Sequence, residues 1–290
     1  MKPAPFDYVV PSSIEEALEQ LDRAGGDATI LAGGQTLMPL LALRMSSPSV
    51  IVDINRIAAL KGISRTDEGM RIAPVTRQNE ALASQPLATA LPTFNRAISH
   101  VGHFQTRNRG TVGGSIALGE PAAELPATAV ALGAEIEVHS KARGERRIPA
   151  EHLYVGPYAT TVEPDELVTA IHFPDWPADA IVIFREVARR PGDFALVGLV
   201  GAIAVEGGRI AQAGLSWFGM GPTPMKAWQA ESALFGENIA DVDVDAIADL
   251  ALSETEPFDD HSATADYRRS VGRRIFARTL REALDLRKAA

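Results

Sequence analysis

Two glycine-rich stretches hold the residue types best suited to chemistry in this 290-residue chain, and the chemistry they suit is phosphate binding. The first, Leu31-Ala32-Gly33-Gly34-Gln35-Thr36-Leu37, follows an apolar run. Glycine lets a backbone approach a ligand closely and take positive φ. Successive N–H groups in such a turn can form an anion nest, and Thr36 adds a hydroxyl donor. A Gly-Gly pair after a strand is also the mark of an ordinary turn. The second stretch runs from Gln105 to Ala117 and places Gly110, Gly113 and Gly114 within five positions, flanked by Arg107, Arg109, Thr111 and Ser115. It reads as a loop able to cradle a pyrophosphate, or as a tight loop with solvated arginines. Neither stretch is a G-x-G-x-x-G run opening a helix with an acidic residue about 20 positions on, so a Rossmann site is not supported. A Walker A motif is absent too. Two such stretches about 80 residues apart, each after a core-like segment, point to one bipartite site for the two phosphates of a dinucleotide.

Other chemistries lack their residues. There are no cysteines, which excludes disulfides, thiolate nucleophiles and cysteine-ligated iron–sulfur clusters within the chain. His100 and His103 lie three apart and could share a helix face, but no acidic partner follows at ligand spacing; His139, His152, His172 and His261 are scattered. The net charge of −9, from 28 Lys+Arg against 37 Asp+Glu, argues against nucleic-acid binding. No run approaches the roughly 20 apolar residues of a membrane span. The N-terminus lacks an apolar signal core, so a cytoplasmic protein is expected.

The elements that must position these stretches are partly legible. Residues 12–24 read as a helix capped by Ser12 or Ser13, with Glu15 or Glu16 in capping-box position, an Ala17, Leu18 and Leu21 stripe, and a stop at Gly25-Gly26. Strands at 28–32 and 50–54 surround the first stretch in a β-α-β pattern that predicts parallel pairing. A strand at 70–75, helices at 79–83, 94–101 and 125–132, and strands at 134–139 and 166–173 follow. The break at Pro174-Asp175-Trp176-Pro177 suggests a domain boundary. Beyond it, strands at 180–187, 195–205 and 209–218 precede helices at 226–235, 244–252 and 267–284, an α+β order that predicts an antiparallel sheet with helices on one face. The arginines of the last helix read as a solvated face, with a subunit contact as the second reading.

Ala32-Gly33-Gly34-Gln35-Thr36 and the stretch 111–126 (TVGGSIALGEPAAELP) resemble the two FAD-pyrophosphate loops of the carbon monoxide dehydrogenase medium subunit and its molybdenum hydroxylase relatives, xanthine dehydrogenase included. Residues 184–198 (FREVARRPGDFALVG) resemble a third signature of that family, and 223–231 (TPMKAWQAE) a fourth, so the likeness covers essentially the whole chain. The resemblance implies an α+β protein: a two-subdomain FAD-binding domain of the vanillyl-alcohol-oxidase (PCMH) type over 1–176, with subdomains about 1–57 and 58–176, then a C-terminal α+β domain over 177–290. It also implies roles by position. Ala32, Gly33, Gly34, Gln35 and Thr36, with Thr111, Gly113 and Gly114, would contact the pyrophosphate. Leu31 and Val101 would line the adenosine or ring pocket, with Gly110 close by. Ser115 and Glu124, helped by Glu120, would hold sugar or ribityl hydroxyls. Leu167 and Phe194 would lie against the isoalloxazine, with Arg185 near its polar edge.

Three positions depart from the family pattern: Glu120 where Asp is usual, Phe194 where some relatives have Tyr, and Lys226 where Arg is common. No histidine matches the covalently linked cousins, so non-covalent FAD is implied. The function the resemblance implies is electron transfer within an oxidoreductase complex, with no contact to the organic substrate. A large molybdopterin subunit oxidises substrate, a small subunit relays electrons through two [2Fe–2S] clusters, and this subunit passes them to an external acceptor, in a dimer of heterotrimers. The missing cysteines fit clusters and molybdenum cofactor held only on partners. Two other readings stay open at this point, a free-standing flavin oxidase and a flavin-free scaffold.

Overall fold

The first glycine stretch sits at the carboxyl ends of a small parallel sheet, built from β1 (Asp7–Val9), α1 (Ile14–Ala24), β2 (Ala28–Leu31), α2 (Leu37–Leu43) and β3 (Val50–Asp53). The structure, a computed structural model, describes residues 2–288. Helix α1 starts where the Ser13 hydroxyl accepts the Glu16 N–H at 3.2 Å and the Glu16 carboxylate accepts the Ser12 N–H at 2.7 Å. Those two bonds satisfy donors that a helix start leaves orphaned. It stops at Gly25, whose φ of +57° suits the left-handed region. Ala17, Leu18 and Leu21 are buried against the sheet, whose order is β1-β3-β2 with both pairs parallel.

The middle of the chain forms a second layer pair. A five-stranded sheet in the order β4-β5-β10-β6-β7 is made from β4 (Ile63–Thr66), β5 (Gly69–Ile72), β6 (Glu135–Ser140), β7 (Gly144–Pro149) and β10 (Glu166–Pro174). All four of its pairs are antiparallel. Its helices are α3 (Gln78–Ala83), α4 (Gln85–Ala90), α5 (Pro92–Ile98), α6 (Phe104–Arg109), α7 (Val112–Leu118) and α8 (Glu124–Ala131), and a short hairpin joins β8 (Tyr154–Gly156) to β9 (Ala159–Thr160). Phe94 meets Phe173 edge-on, with ring centres 5.3 Å apart, in the core between helices and sheet.

The C-terminal part is an antiparallel sheet of β11 (Ile181–Val187), β12 (Val197–Glu206), β13 (Arg209–Phe218) and β14 (Met225–Lys226), followed by α9 (Trp228–Leu234), α10 (Val244–Ser253) and α11 (Ala265–Lys288). These helices cover one face, where Trp217 packs on Phe276 and donates its indole N–H to the Ala251 carbonyl at 3.0 Å. The opposite face lies against α5 and α8, with Ala97, Ala127 and Ala131 packed on Phe184, Val200 and Phe218. Every residue of α8 is buried, which is why its sequence is apolar all round.

Two readings of the sequence change. The stretch 105–117 is not one loop: it forms most of α6 and of α7, because packing on Pro74 outweighs the low helix propensity of two adjacent glycines. His100 and His103 share no helix face, since one follows α5 and the other caps α6. The arginines of α11 keep an exposed face, as read, and pair within their own chain: Arg273 bridges Asp249 at 2.6 Å and Asp245 at 3.3 Å on α10, Arg281 pairs with Asp245, and Arg278 pairs with Glu282. Lys226 bridges to Glu151 of the middle part at 3.2 Å and lies over the Trp228 ring.

Candidate cofactor site

Parallel sheets of this kind bind ligands beyond their carboxyl ends. There the structure has a cleft of about 400 Å³, lined by Leu31, Ala32, Gly33, Gly34 and Gln35 with Tyr8, Met38, Pro39, Asp53, Asn55 and Arg109. Gly34 takes φ of +72°, which turns the chain back after β2. The N–H groups of Gly33, Gly34, Gln35 and Thr36 donate to no acceptor among the described residues, and the Thr36 hydroxyl caps nothing. This is the anion nest expected of the first stretch.

The second stretch is organised differently. The Gly110 N–H donates to Thr106 O, Val112 to Thr76 O, Gly113 to Pro74 O, Gly114 to the Thr111 hydroxyl and Ser115 to Thr111 O. These amides are consumed inside the fold, and Gly110, Thr111 and Gly113 are buried. What the stretch contributes is a surface for the first loop. A Cβ on Gly33 would stand 2.7 Å from Arg109 O, 2.8 Å from Gly110 Cα and 3.0 Å from Thr111 N. The two stretches are therefore pressed together, backbone on backbone, with Gly114 and Ser115 half-buried beside them.

A second polar locus lies where the middle part meets β11. It gathers Glu124 of α8, Arg107 of α6, Glu186 of β11 and His100. Burial pushes the Glu124 carboxyl up to about 8, aided by Glu186 and opposed by Arg107. Burial also lifts Glu186 to about 7, and His100 Nδ1 stands 3.5 Å from its carboxylate. Burial, then the charge of Arg96, holds the His100 imidazole below its ordinary value. Arg107 donates to the carbonyls of Val101 and Gly102 at 2.8 and 3.1 Å. The β11–β12 loop approaches the start of α6: a Cβ on Gly192 would meet the His103 ring at 2.5 Å and Gly102 O at 3.0 Å, and Phe194 stands 60% exposed two residues on.

Folded Glu124 titrates at about 8 and an unfolded glutamate at 4.5, so between those values only the folded state keeps the proton. Stability then falls as pH rises through that window and levels off above it. Glu124→Gln is expected to match wild type in urea unfolding at pH 5 and to be more stable by on the order of 3 kcal/mol at pH 8. Parallel curves for the two proteins at both pH values would refute this. Glu186 is present in both proteins, so the difference reports Glu124 together with its coupling to that neighbour.

Three expected site residues are placed elsewhere or committed. Leu167 is 1% exposed in the core between α1 and β10, packed with Leu18 and Val75, and has no face to offer a ring. Arg185 points to α11, where it pairs with Glu282 and reaches Thr279 at 3.4 Å. Strand alternation turns its neighbours Phe184 and Glu186 to the other side, so Glu186 is the β11 residue that faces the junction. Glu120 is committed on both oxygens, accepting from the Ala122 N–H at 3.0 Å and from the Tyr158 hydroxyl. Tyr8, Asp53 and Asn55, absent from the sequence reading, line the cleft. Their signal was the polar Asp53 and Asn55 just past a parallel strand.

Comparison with known proteins agrees with this geometry. Residues 4–176 match the family described as the FAD binding domain in molybdopterin dehydrogenase, and residues 182–283 match the CO dehydrogenase flavoprotein C-terminal domain. The chain is 38% identical to the 6-hydroxypseudooxynicotine dehydrogenase complex subunit alpha of Paenarthrobacter nicotinovorans, covering 98% of this chain and 96% of that subunit. It is 34% identical to the caffeine dehydrogenase subunit beta of a Pseudomonas species (strain CBB1), covering 98% and 97%. Its fold superposes on a chain of the carbon monoxide dehydrogenase of Hydrogenophaga pseudoflava, solved without the Mo-pyranopterin moiety, with a TM-score of 0.94, 33% identity and 98% of both chains covered. The nest at β2, the sheet order around it and these matches over nearly the full length place the chain in the family of FAD-binding medium subunits of the molybdenum hydroxylases.

Proposed function

We propose that the cleft takes FAD non-covalently, its diphosphate on the open amides of Gly33, Gly34, Gln35 and Thr36. The observation that carries this reading is that these four N–H groups, in a left-handed turn at a parallel-sheet end, have no acceptor of their own. Ala32 and Leu31 then lie along the cofactor, with Gly110, Thr111, Gly113, Gly114 and Ser115 behind the loop. The isoalloxazine is assigned to the junction lined by Val101, Glu124 and Phe194. When bound, a flavin exchanges electrons singly or in pairs, which suits a link between one-electron centres and a two-electron acceptor. The chain's own residues bind it, orient it and exclude water. Glu124, held neutral by burial, offers the junction a carboxyl O–H donor rather than a charge.

In this reading the unit over 1–176, with subdomains about 1–57 and 58–176, carries FAD, and 177–290 covers its far side. Electrons arrive from the [2Fe–2S] clusters of a small subunit, while a large molybdopterin subunit oxidises the organic substrate. The assembly is a dimer of heterotrimers in the cytoplasm. Among the described residues no helix is long and apolar enough to cross a membrane. The free-standing oxidase and the flavin-free scaffold are not favoured, since the relatives are subunits of dehydrogenase complexes. The visible spectrum of the purified chain before and after acid denaturation tests the reading. Bands near roughly 370 and 450 nm, released into the supernatant, are expected for dissociable flavin. A colourless chain that also fails to take up added FAD overturns it, and reduction by an organic substrate alone would favour the oxidase.

A further inference from the structure

We infer that Asn55 and Arg77 are positioning residues that clasp the two glycine stretches together, and that the Arg77 charge behind the nest favours an anionic ligand over a neutral one. This rests on reading the cleft as the FAD site. The two residues are 22 apart in sequence and belong to different layers, one just past β3 and the other at the start of α3. The Asn55 amide nitrogen donates to Ala32 O at 2.7 Å, on the first stretch. Its amide oxygen accepts from Arg77 Nη2 at 2.7 Å, and Arg77 Nη1 donates to Arg109 O at 2.5 Å, on the second stretch. The chain of bonds therefore runs from one stretch to the other through two side chains.

Its direction is fixed by the partners. Ala32 O and the Asp53 carboxylate, 2.6 Å from the same amide nitrogen, can only accept, and the guanidinium can only donate. Asn55 thus has one productive orientation. Asp53 is itself held by the Tyr8 hydroxyl and the Asn55 N–H, which ties the edge strand β1 into the same network. Arg77 is anchored at its backbone too, where its N–H donates to the Glu80 carboxylate at 2.9 Å.

The charge argument is separate. Arg77 binds the backbone carbonyl of Arg109 and feels the charge of its side chain, and neither guanidinium has a carboxylate within ion-pair distance among the described residues. Glu80 and Asp53 offset part of their repulsion at longer range. A cation bonded behind the nest and a second lining the cleft, beside four open amides, form a site whose electrostatic cost a bound diphosphate relieves. An Arg-to-Lys change keeps the charge but not the fork that spans Asn55 and Arg109.

The experiment titrates the full flavin-free chain with FAD and with ADP at several salt concentrations, alongside its melting temperature. It compares wild type with Arg77→Met, Arg77→Lys and Asn55→Ser. Arg77→Met is expected to weaken both ligands at least tenfold and to flatten the salt dependence. Asn55→Ser is expected to weaken both while keeping the salt slope, because the cation remains. Arg77→Lys should restore the slope but not the full affinity. Should Arg77→Met fail to fold, the other two variants decide. Folded Arg77 and Asn55 variants that bind FAD and ADP within twofold of wild type overturn the clasp alone. A wild-type chain that binds neither ligand overturns the FAD reading and the clasp with it.

Discussion

Gly33→Val yields a folded protein that purifies without flavin. The backbone at Gly33 is one that any residue adopts, so space alone demands glycine here, unlike Gly34 with its φ of +72°. The atoms that a Cβ would meet are Arg109 O, Gly110 Cα and Thr111 N, at 2.7 to 3.0 Å. All are backbone, and the amide or carbonyl hydrogen bonds of that stretch fix them to Thr106, Gln78 and Arg77. No side chain can swing aside. The first stretch must retreat instead, and that carries the four open amides out of the arrangement that faces the ligand. The expected ratio of flavin to protein is below about a tenth of wild type, with the melting temperature of the flavin-free chain little changed, because the loop lies at the surface. Gly114→Ala is the milder comparison: its Cβ meets the Thr111 hydroxyl at 2.6 Å, which costs a helix cap and leaves the nest in place. Stoichiometric flavin in purified Gly33→Val would remove the loop assignment.

The second large effect concerns folding. Arg268 is 4% exposed, and its guanidinium donates to Leu196 O at 2.5 Å, Gly219 O at 3.0 Å and Asp260 at 2.7 Å. It therefore fastens α11 to both strand ends that precede the C-terminal helices. Gly219 in turn donates its N–H to Pro121 O of the middle part at 2.8 Å. Arg268→Met keeps much of the side-chain volume but strands two buried carbonyls and a half-buried carboxylate. Breaking one side of such a buried arrangement costs about 3–5 kcal/mol. A matching drop in the urea midpoint with unchanged slope is the expected reading. Burial alone would raise the Asp260 carboxyl, but the Ala263 and Ser262 N–H groups and Arg268 hold it below its ordinary 3.8. A depressed carboxyl contributes stability above the unfolded value and loses it as pH falls through the folded one. The gap between wild type and variant should accordingly narrow in acid. A midpoint within error of wild type would refute the anchoring role.

The order in which the sequence and the structure agree follows from how local each feature is. The Ser13 cap, the β2–β3 pairing and the three long C-terminal strands are short-range patterns, and each lies where the residues predict. The continuous apolar run of α8 is legible for the same reason, although what covers it is not. The second glycine stretch was misread because its stabilising contacts come from Pro74 and Thr76, far back in the chain. Strand alternation turns Arg185 toward α11 and Glu186 toward the junction, a phase that depends on which face α11 occupies. Leu167 sits in a run buried on both faces, where no pattern separates a core position from a ligand contact. Asn55 and Arg77 carry no motif at all; only the fold brings them together.

The burial of α8 has a consequence for how the chain is made. Its outer face, with Ala127 and Ala131, is covered by the C-terminal sheet, by Phe184 of β11 and chiefly by β12 and β13, which lie at residues 197–218. During synthesis the earlier layers must wait, with an apolar helix face uncovered, until roughly the last quarter of the chain is still to come. The FAD-carrying part is in this sense not an autonomous folding unit. The C-terminal sheet serves it as a built-in chaperone that stays in place after the work is done.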